Sequence, residues 1–321
     1  MNYVIKKLLI GVGAVSLMAG AAQAQTYPAR SITLVVPFSP GGAADTTGRL
    51  MAEKLTKELG VSVIVQNKPG VSGIVGAAVV KDAKPDGYTI LLGNTTINVV
   101  NPLIYKTLPY DAATDFVPVT LFSKYGNALI VRSDSKLTSL QDVIETSKKT
   151  PGSLTYGTAG TGTSQFLSGK LLEQTANIKL TEIPYKGGAT ALTDLLGGRI
   201  DMIFETVAAA RPFIDSKQVR VLGVTSDSAK AALPGATPIS DMGFPKFHME
   251  SWFGLFLPKD TPSDIAVKLD HAVSEAVKDS KIKEAFLSMG SVPVSVGLQD
   301  FEKTLQEQKT VWQDVLKGIQ L

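Results

Sequence analysis

The chain has 321 residues, 44% of them hydrophobic, a formal net charge of +3 and no cysteine. The missing cysteine excludes disulfides, thiolate metal sites, a cysteine nucleophile and a lipidated N-terminus, so stability has to come from an ordinary core, which a chain of this length builds more readily as two domains than as one. Acidic and basic residues are interspersed, without the basic run or arginine–aromatic interleaving that tracks phosphates, and no nucleic-acid partner is expected.

Lys6 and Lys7, the apolar run from Leu8 to Gly20 and the small-residue stretch Ala22-Gln23-Ala24 predict a secretory signal peptide over residues 1–24, with a mature chain starting at Gln25. The run is shorter than the roughly 20 residues a membrane-spanning helix needs, and no second run of that length follows. An exported protein that is not itself membrane-embedded is expected. Beyond the leader, apolar β-branched runs at Ile32–Pro37, Val61–Gln66 and Thr89–Leu92 read as strands, and helical patterns fall between them at Asp45–Leu59 and Ser72–Lys81. This alternation predicts βαβ units and a mostly parallel sheet.

After Lys124 a second series begins, with strands at Leu129–Arg132, Leu154–Gly157, Thr181–Pro184, Asp201–Phe204 and Arg220–Thr225. Helical patterns lie at Leu140–Lys148, Ser164–Thr175, Ala189–Leu196 and Val207–Asp215. The last part carries a Pro/Gly-rich loop at Leu233–Pro245, a strand at Trp252–Leu257, and helices at Ser263–Lys278 and Leu298–Gly318. We expect the chain to cross between two lobes near Val119–Lys124 and to return near Gly223–Asp227; two consecutive domains would read the same locally. Lobe 1 then comprises residues 25–121 and 226–321 and lobe 2 residues 122–225, with the two crossings forming a hinge.

Two glycine-rich loops carry the chemistry. Ser39-Pro40-Gly41-Gly42-Ala43-Ala44-Asp45 follows a predicted strand and opens a predicted helix, whose first N–H groups have no partner within the helix and suit an anion. The lysine of a phosphate-binding P-loop is missing, and Asp45 is better suited to capping a helix than to meeting an anion. Gly157-Thr158-Ala159-Gly160-Thr161-Gly162-Thr163-Ser164 repeats the arrangement in the second series. Amides and hydroxyls there can hold a carboxylate without a fixed positive charge. One loop in each lobe points to a ligand clamped between them. The two histidines, His248 and His271, stand neither at metal-ligand spacing nor near a nucleophile motif, and G-x-S-x-G and H-E-x-x-H motifs are absent, so neither an enzyme nor a metal or other cofactor is expected.

Several segments resemble the tripartite tricarboxylate transporter substrate-receptor family, the Bug-type periplasmic binding proteins. They are Y-P-A-R-S-I-T-L-V-V-P-F-S-P-G-G-A-A-D, N-K-P-G-V-S-G-I-V-G, P-D-G-Y-T-I-L-L-G, Y-G-T-A-G-T-G-T-S, P-Y-K-G-G-A-T-A-L-T-D-L-L-G-G-R-I-D and S-W-F-G-L-F-L-P-K-D-T-P. The resemblance implies an α/β, two-lobed periplasmic binding protein fold, a type II-like Venus flytrap that closes over a small organic carboxylate. It implies delivery to the membrane permease subunits of a tripartite tricarboxylate transporter, and we expect a monomer. Carried onto this sequence it assigns the ligand to Ser39, Gly41, Gly42, Ala43 and Ala44 on one side, to Gly160, Thr161, Gly162, Thr163, Ser164 and Gln165 on the other, and to Asn94 and Thr95 after a lobe 1 strand. The chain departs from the family pattern where Gln165, Phe166 and Lys170 replace a proline, a histidine and a glutamate, and where Glu205 replaces an aspartate. Phe38, Phe166 and Trp252 are read either as an apolar wall favouring an aromatic carboxylate such as terephthalate over a short aliphatic one or as core residues buried for packing. Lys186 and Arg211 are further candidate carboxylate partners. A ligand-dependent sensor for a membrane kinase and a secreted hydrolase remain open as alternatives.

Overall fold

The computed structural model describes residues 27–185 and 187–317; the expected leader and Lys186 lie outside them. The chain first builds β1 (Ile32–Val36), α1 (Ala43–Leu59), β2 (Val63–Asn67), α2 (Ile74–Lys81) and β3 (Thr89–Asn94). A π-helical turn at Thr96–Val100 runs into α3 (Asn101–Ile104), and β4 (Phe116–Tyr125) follows. Next come β5 (Asn127–Arg132), α4 (Leu140–Lys149), β6 (Thr155–Thr158), α5 (Ser164–Ala176), β7 (Thr181–Pro184), α6 (Gly188–Leu196), β8 (Met202–Thr206), α7 (Val207–Asp215) and β9 (Val219–Val224). The remaining elements are α8 (Asp227–Ala232), β10 (Ser251–Pro258), α9 (Ser263–Ala276), α10 (Ser280–Ser288), β11 (Ser291–Val296) and α11 (Leu298–Val315).

Two mixed sheets make two α/β lobes, with strand orders β11-β4-β10-β3-β1-β2 and β7-β6-β8-β5-β9. Strands joined through helices pair parallel, β1 with β2 and β3, and β6 with β7 and β8, as helical crossovers require. β10 enters antiparallel between β3 and β4, and β5 antiparallel between β8 and β9. All eight residues of β10 are buried. Trp252 and Phe256 pack on one face with Phe301 and Trp312 of α11, while Phe253, Leu255 and Leu257 face Met51 and Leu55 of α1 and Leu269 and Val273 of α9. Covered on both faces, β10 reads as a continuous apolar run instead of an alternating one.

The sequence reading missed β4 and β11 because each contains a proline, which speaks against an interior strand. Pro118 is tolerated because only β10 pairs beside it; β11 reaches no further along β4 than Leu121. Pro293 lies on β11, an edge strand. β4 stays paired with β10 as far as Tyr125, so residues 122–125, expected to open the second lobe, belong to the first sheet, and the chain changes sheets at Gly126. The two crossing segments lie side by side there. Asn127 N–H donates to Thr225 Oγ1 at 2.8 Å, Thr225 N–H donates to the Asn127 carbonyl at 2.9 Å, and a Cβ on Gly126 would stand 2.3 Å from Ser226 Oγ.

Candidate functional site

The cleft between the lobes holds a cavity of about 930 Å³. On the first lobe its wall is the loop from Phe38 to Gly42 and the first residues of α1. Gly41 has φ 84°, which an L side chain resists, and its N–H donates to Asp45 Oδ2 at 2.9 Å. Asn67 Nδ2 donates both to the Phe38 carbonyl at 3.0 Å and to Asp45 Oδ1 at 2.9 Å, and Arg49 Nε donates to Asp45 Oδ2 at 3.0 Å. Burial works against the Asp45 anion, but the bonds from Arg49, Gly41 and Asn67 outweigh it and hold the carboxyl below its usual range. Asp45 therefore organises the loop from behind, with its charge balanced by Arg49.

On the second lobe, Gly160 (φ 108°) lets the chain turn so that Thr163 Oγ1 donates to the Gly160 carbonyl at 2.6 Å, and α5 begins at Ser164. A second pair of glycines, Gly187 and Gly188, opens α6 on the same side of the cleft. None of α1, α5 and α6 has a side-chain cap at its N-terminus, and all three begin at the cleft wall. The free N–H groups and positive dipole ends of three helices from two lobes thus converge on one space. No described residue lining it is Asp, Glu, Lys, Arg or His. The arrangement suits an anion held by neutral donors, whose affinity comes from geometry more than from net charge.

Of the residues expected at the site, Phe38, Ser39, Gly41, Gly42, Ala43, Ala44, Asn94, Gly160, Thr161, Thr163, Ser164 and Gln165 line this cavity. Thr95 does not; it is buried beyond the end of β3 with its hydroxyl unpartnered. Gly162 sits against Val100 and Ile104 of the first lobe, and its carbonyl accepts from Thr96 Oγ1 at 3.1 Å, so it joins the lobes instead of lining the space between them. The aromatic wall needs correction: Phe166 and Trp252 are buried in the core and do not face the cleft, and Trp252 Nε1 donates to Gln308 Oε1 at 2.7 Å. The aromatic lining is instead Phe38, Tyr105 and the stacked pair Tyr125 and Phe253, with ring centroids 4.9 Å apart. Burial pushes the Tyr125 phenol up to about 12, so it stays neutral. Glu205 lies behind the wall, and Arg211 donates to the Ala232 carbonyl.

Sequence reasoning missed Val71 and Ser72 of the loop before α2, Gly187 to Ala189, Thr206, and the Tyr125–Phe253 pair. For Gly187 and Gly188 the signal was present, since strand, glycine pair and helix follow one another as they do at Gly41 and Gly42. Tyr125 and Phe253 meet only because β4 and β10 are neighbours in the sheet.

The family profile described as "Tripartite tricarboxylate transporter family receptor" matches residues 47–321. The chain belongs to this family. It is 36% identical over 289 residues to a UPF0065 protein in the tcbD-tcbE intergenic region of Pseudomonas sp. strain P51, covering 89% of this chain and 85% of that one. Among solved structures, R. palustris Rpa4515 with adipate superposes with a TM-score of 0.84 at 32% identity, covering 92% of this chain and all (100%) of the other. The periplasmic binding protein BugD superposes with a TM-score of 0.81 at 30% identity, over 92% and 100% of the two chains. Tripartite tricarboxylate transporter receptors are substrate-binding proteins, not enzymes, which removes the hydrolase reading. Among the described residues no helix is long and apolar enough to cross a membrane.

Proposed function

We propose that this chain is a periplasmic receptor that captures a small organic carboxylate between its lobes and delivers it to the membrane permease subunits of a tripartite tricarboxylate transporter. The observation that carries this reading is the convergence of the uncapped N-termini of α1, α5 and α6 on one cavity with no Asp, Glu, Lys, Arg or His among its described lining residues. Only the closed state presents donors of both lobes to one ligand, so binding favours closure. Adipate in the Rpa4515 structure supports a carboxylate ligand. Phe38, Tyr105 and the Tyr125–Phe253 stack favour a ring or a chain of similar length over a C4 dicarboxylate.

A thermal-shift screen of the mature protein, stripped of co-purified ligand, against aliphatic and aromatic mono-, di- and tricarboxylates tests the reading. A ligand at 100 times its Kd stabilises the fold by about 2.7 kcal/mol. A selective shift, larger with terephthalate or adipate than with succinate, is the expected result. No shift with any carboxylate would remove the reading, and a clear preference for succinate would remove the aromatic specificity. The uptake role predicts that deleting the gene abolishes accumulation of the ligand; loss of gene induction with normal uptake would point to a sensor instead.

A further inference from the structure

Glu205, on β8, is 3% exposed and lies directly behind the second-lobe wall of the cleft. Its Oε1 accepts from the Thr206 N–H at 2.7 Å, from Thr206 Oγ1 at 3.2 Å and from Gln165 Nε2 at 3.4 Å. Its Oε2 is buried with no partner. That oxygen faces the first residue of α6: a Cβ on Gly188 would stand 2.4 Å from Oε2 and 3.2 Å from Gln165 Nε2. Thr206, Gln165 and Gly188 all line the cavity, so the orphan oxygen and the ligand space share one wall.

A buried, unpartnered carboxylate oxygen is costly as an anion, and the cost disappears if it carries a proton and finds an acceptor. Burial, opposed only by the bonds from Thr206 and Gln165, pushes the Glu205 carboxyl up. The charged groups on the surrounding elements have other partners. Lys170 and Glu173 of α5 pair with each other, Asp194 of α6 pairs with Arg199, Arg211 of α7 donates to the Ala232 carbonyl, and Glu182 of β7 accepts from Thr158. On β5, Arg132 pairs with Asp134, and Asp201, just before β8, accepts from Thr155; the Tyr156 hydroxyl of β6 lies beneath Gly169, buried and without a partner. Lys186 lies outside the described residues.

We propose that Glu205 is a proton-linked positioning residue, which takes up one proton from solvent when a dicarboxylate is captured and thereby turns Gln165 from an acceptor into a donor toward the ligand. In the ionised form Glu205 holds Gln165 Nε2, and Gln165 Oε1 is the acceptor end of the amide, taking a hydrogen bond from Ser164 Oγ at 3.4 Å. With the proton on Oε2, its O–H donates to Gln165 Oε1, and the turned amide offers Nε2 to a ligand carboxylate beside the N-termini of α5 and α6. This rests on the carboxylate-receptor reading and adds to it that a second carboxylate is bound more tightly at lower pH.

Isothermal titration of the mature protein with terephthalate and with adipate, in buffers of different ionisation enthalpy between pH 6.5 and 8, counts the protons taken up where both ligands are dianions. The wild-type chain is expected to take up a fraction of a proton, at most one, that grows as pH rises, and its Kd to weaken with rising pH by at most about tenfold per unit. E205Q, which keeps the shape and cannot ionise, is expected to bind either dianion with no uptake and a flat pH profile, and Q165L to bind weakly at every pH. A dianion bound by the wild type without proton uptake, or an E205Q profile as steep as that of the wild type, overturns the Glu205 assignment alone. If no carboxylate in the screen above binds the wild type, the receptor reading fails and this inference with it.

Discussion

Asp45 and Glu205 show one physical rule with opposite signs. Asp45 is buried among three donors that favour its anion, so its carboxyl is held low; Glu205 is buried with one oxygen unpaired, so its carboxyl is raised. The Asp45 network stabilises the fold above the unfolded-state value of about 3.9, and this contribution is lost as pH falls through the lowered folded value. D45A should therefore lower unfolding stability by about 2 kcal/mol at pH 7, the scale of hydrogen bonds to a charged group, and by less at pH 3, as read by denaturant titration. For Glu205 the penalty is absent below the unfolded value of about 4.3 and grows as pH rises toward the folded value. E205Q should accordingly gain in Tm over the wild type as pH is raised from 4 to 8, and a difference that stays constant with pH would contradict this assignment of the penalty to ionisation.

The proposed donors of the site belong to helix starts, and proline can remove one of them without breaking the helix. Ala43 and Ser164 are the first residues of α1 and α5, and the residues before them, Gly42 and Thr163, already have extended backbone with ψ 174° and 163°, as a following proline requires. A43P and S164P should leave Tm nearly unchanged and each weaken carboxylate binding roughly tenfold or more, the cost of one charge-assisted bond, measured by titration calorimetry. Equal affinity in both variants would show that the amides are not used. These loops were legible in the sequence because a strand, a glycine pair and a helical pattern lie within a few residues of one another. The aromatic lining was not legible. Trp252 and Phe253 are adjacent on one strand, and which of them faces the cleft depends on how β10 sits between β3 and β4, which is fixed by tertiary packing. The strands β4 and β11 were hidden for a related reason, since their prolines are acceptable only where a neighbour leaves that part of the ladder open.

At the scale of the whole molecule, the lobes touch across the cleft where Thr96 donates to the Gly162 carbonyl and Gly162 packs against Val100 and Ile104. The chain crosses between the two sheets at Gly126 and Thr225, where the two crossings are bonded to each other. T96V removes the hydroxyl of the contact and keeps its shape, so it should weaken ligand affinity about fivefold, the value of one net hydrogen bond, and do so through faster release. Stopped-flow measurement of association and release separates this from damage to the site, which would show as loss of affinity without a change confined to release. The order of strand and helix patterns gave two α/β series, and the family resemblance made them two lobes, whereas the contact between lobes involves residues 66 positions apart and left no local trace. In the proposed capture the donors are backbone amides at three helix starts, contributed by both lobes. The most direct measurement is an amide proton–nitrogen correlation spectrum of the mature protein titrated with terephthalate or adipate. Saturable downfield shifts of the Ala43, Ala44, Ser164 and Ala189 amides, rising together at one Kd, are expected; a carboxylate that binds while the amides of either lobe stay unmoved would contradict capture between the lobes.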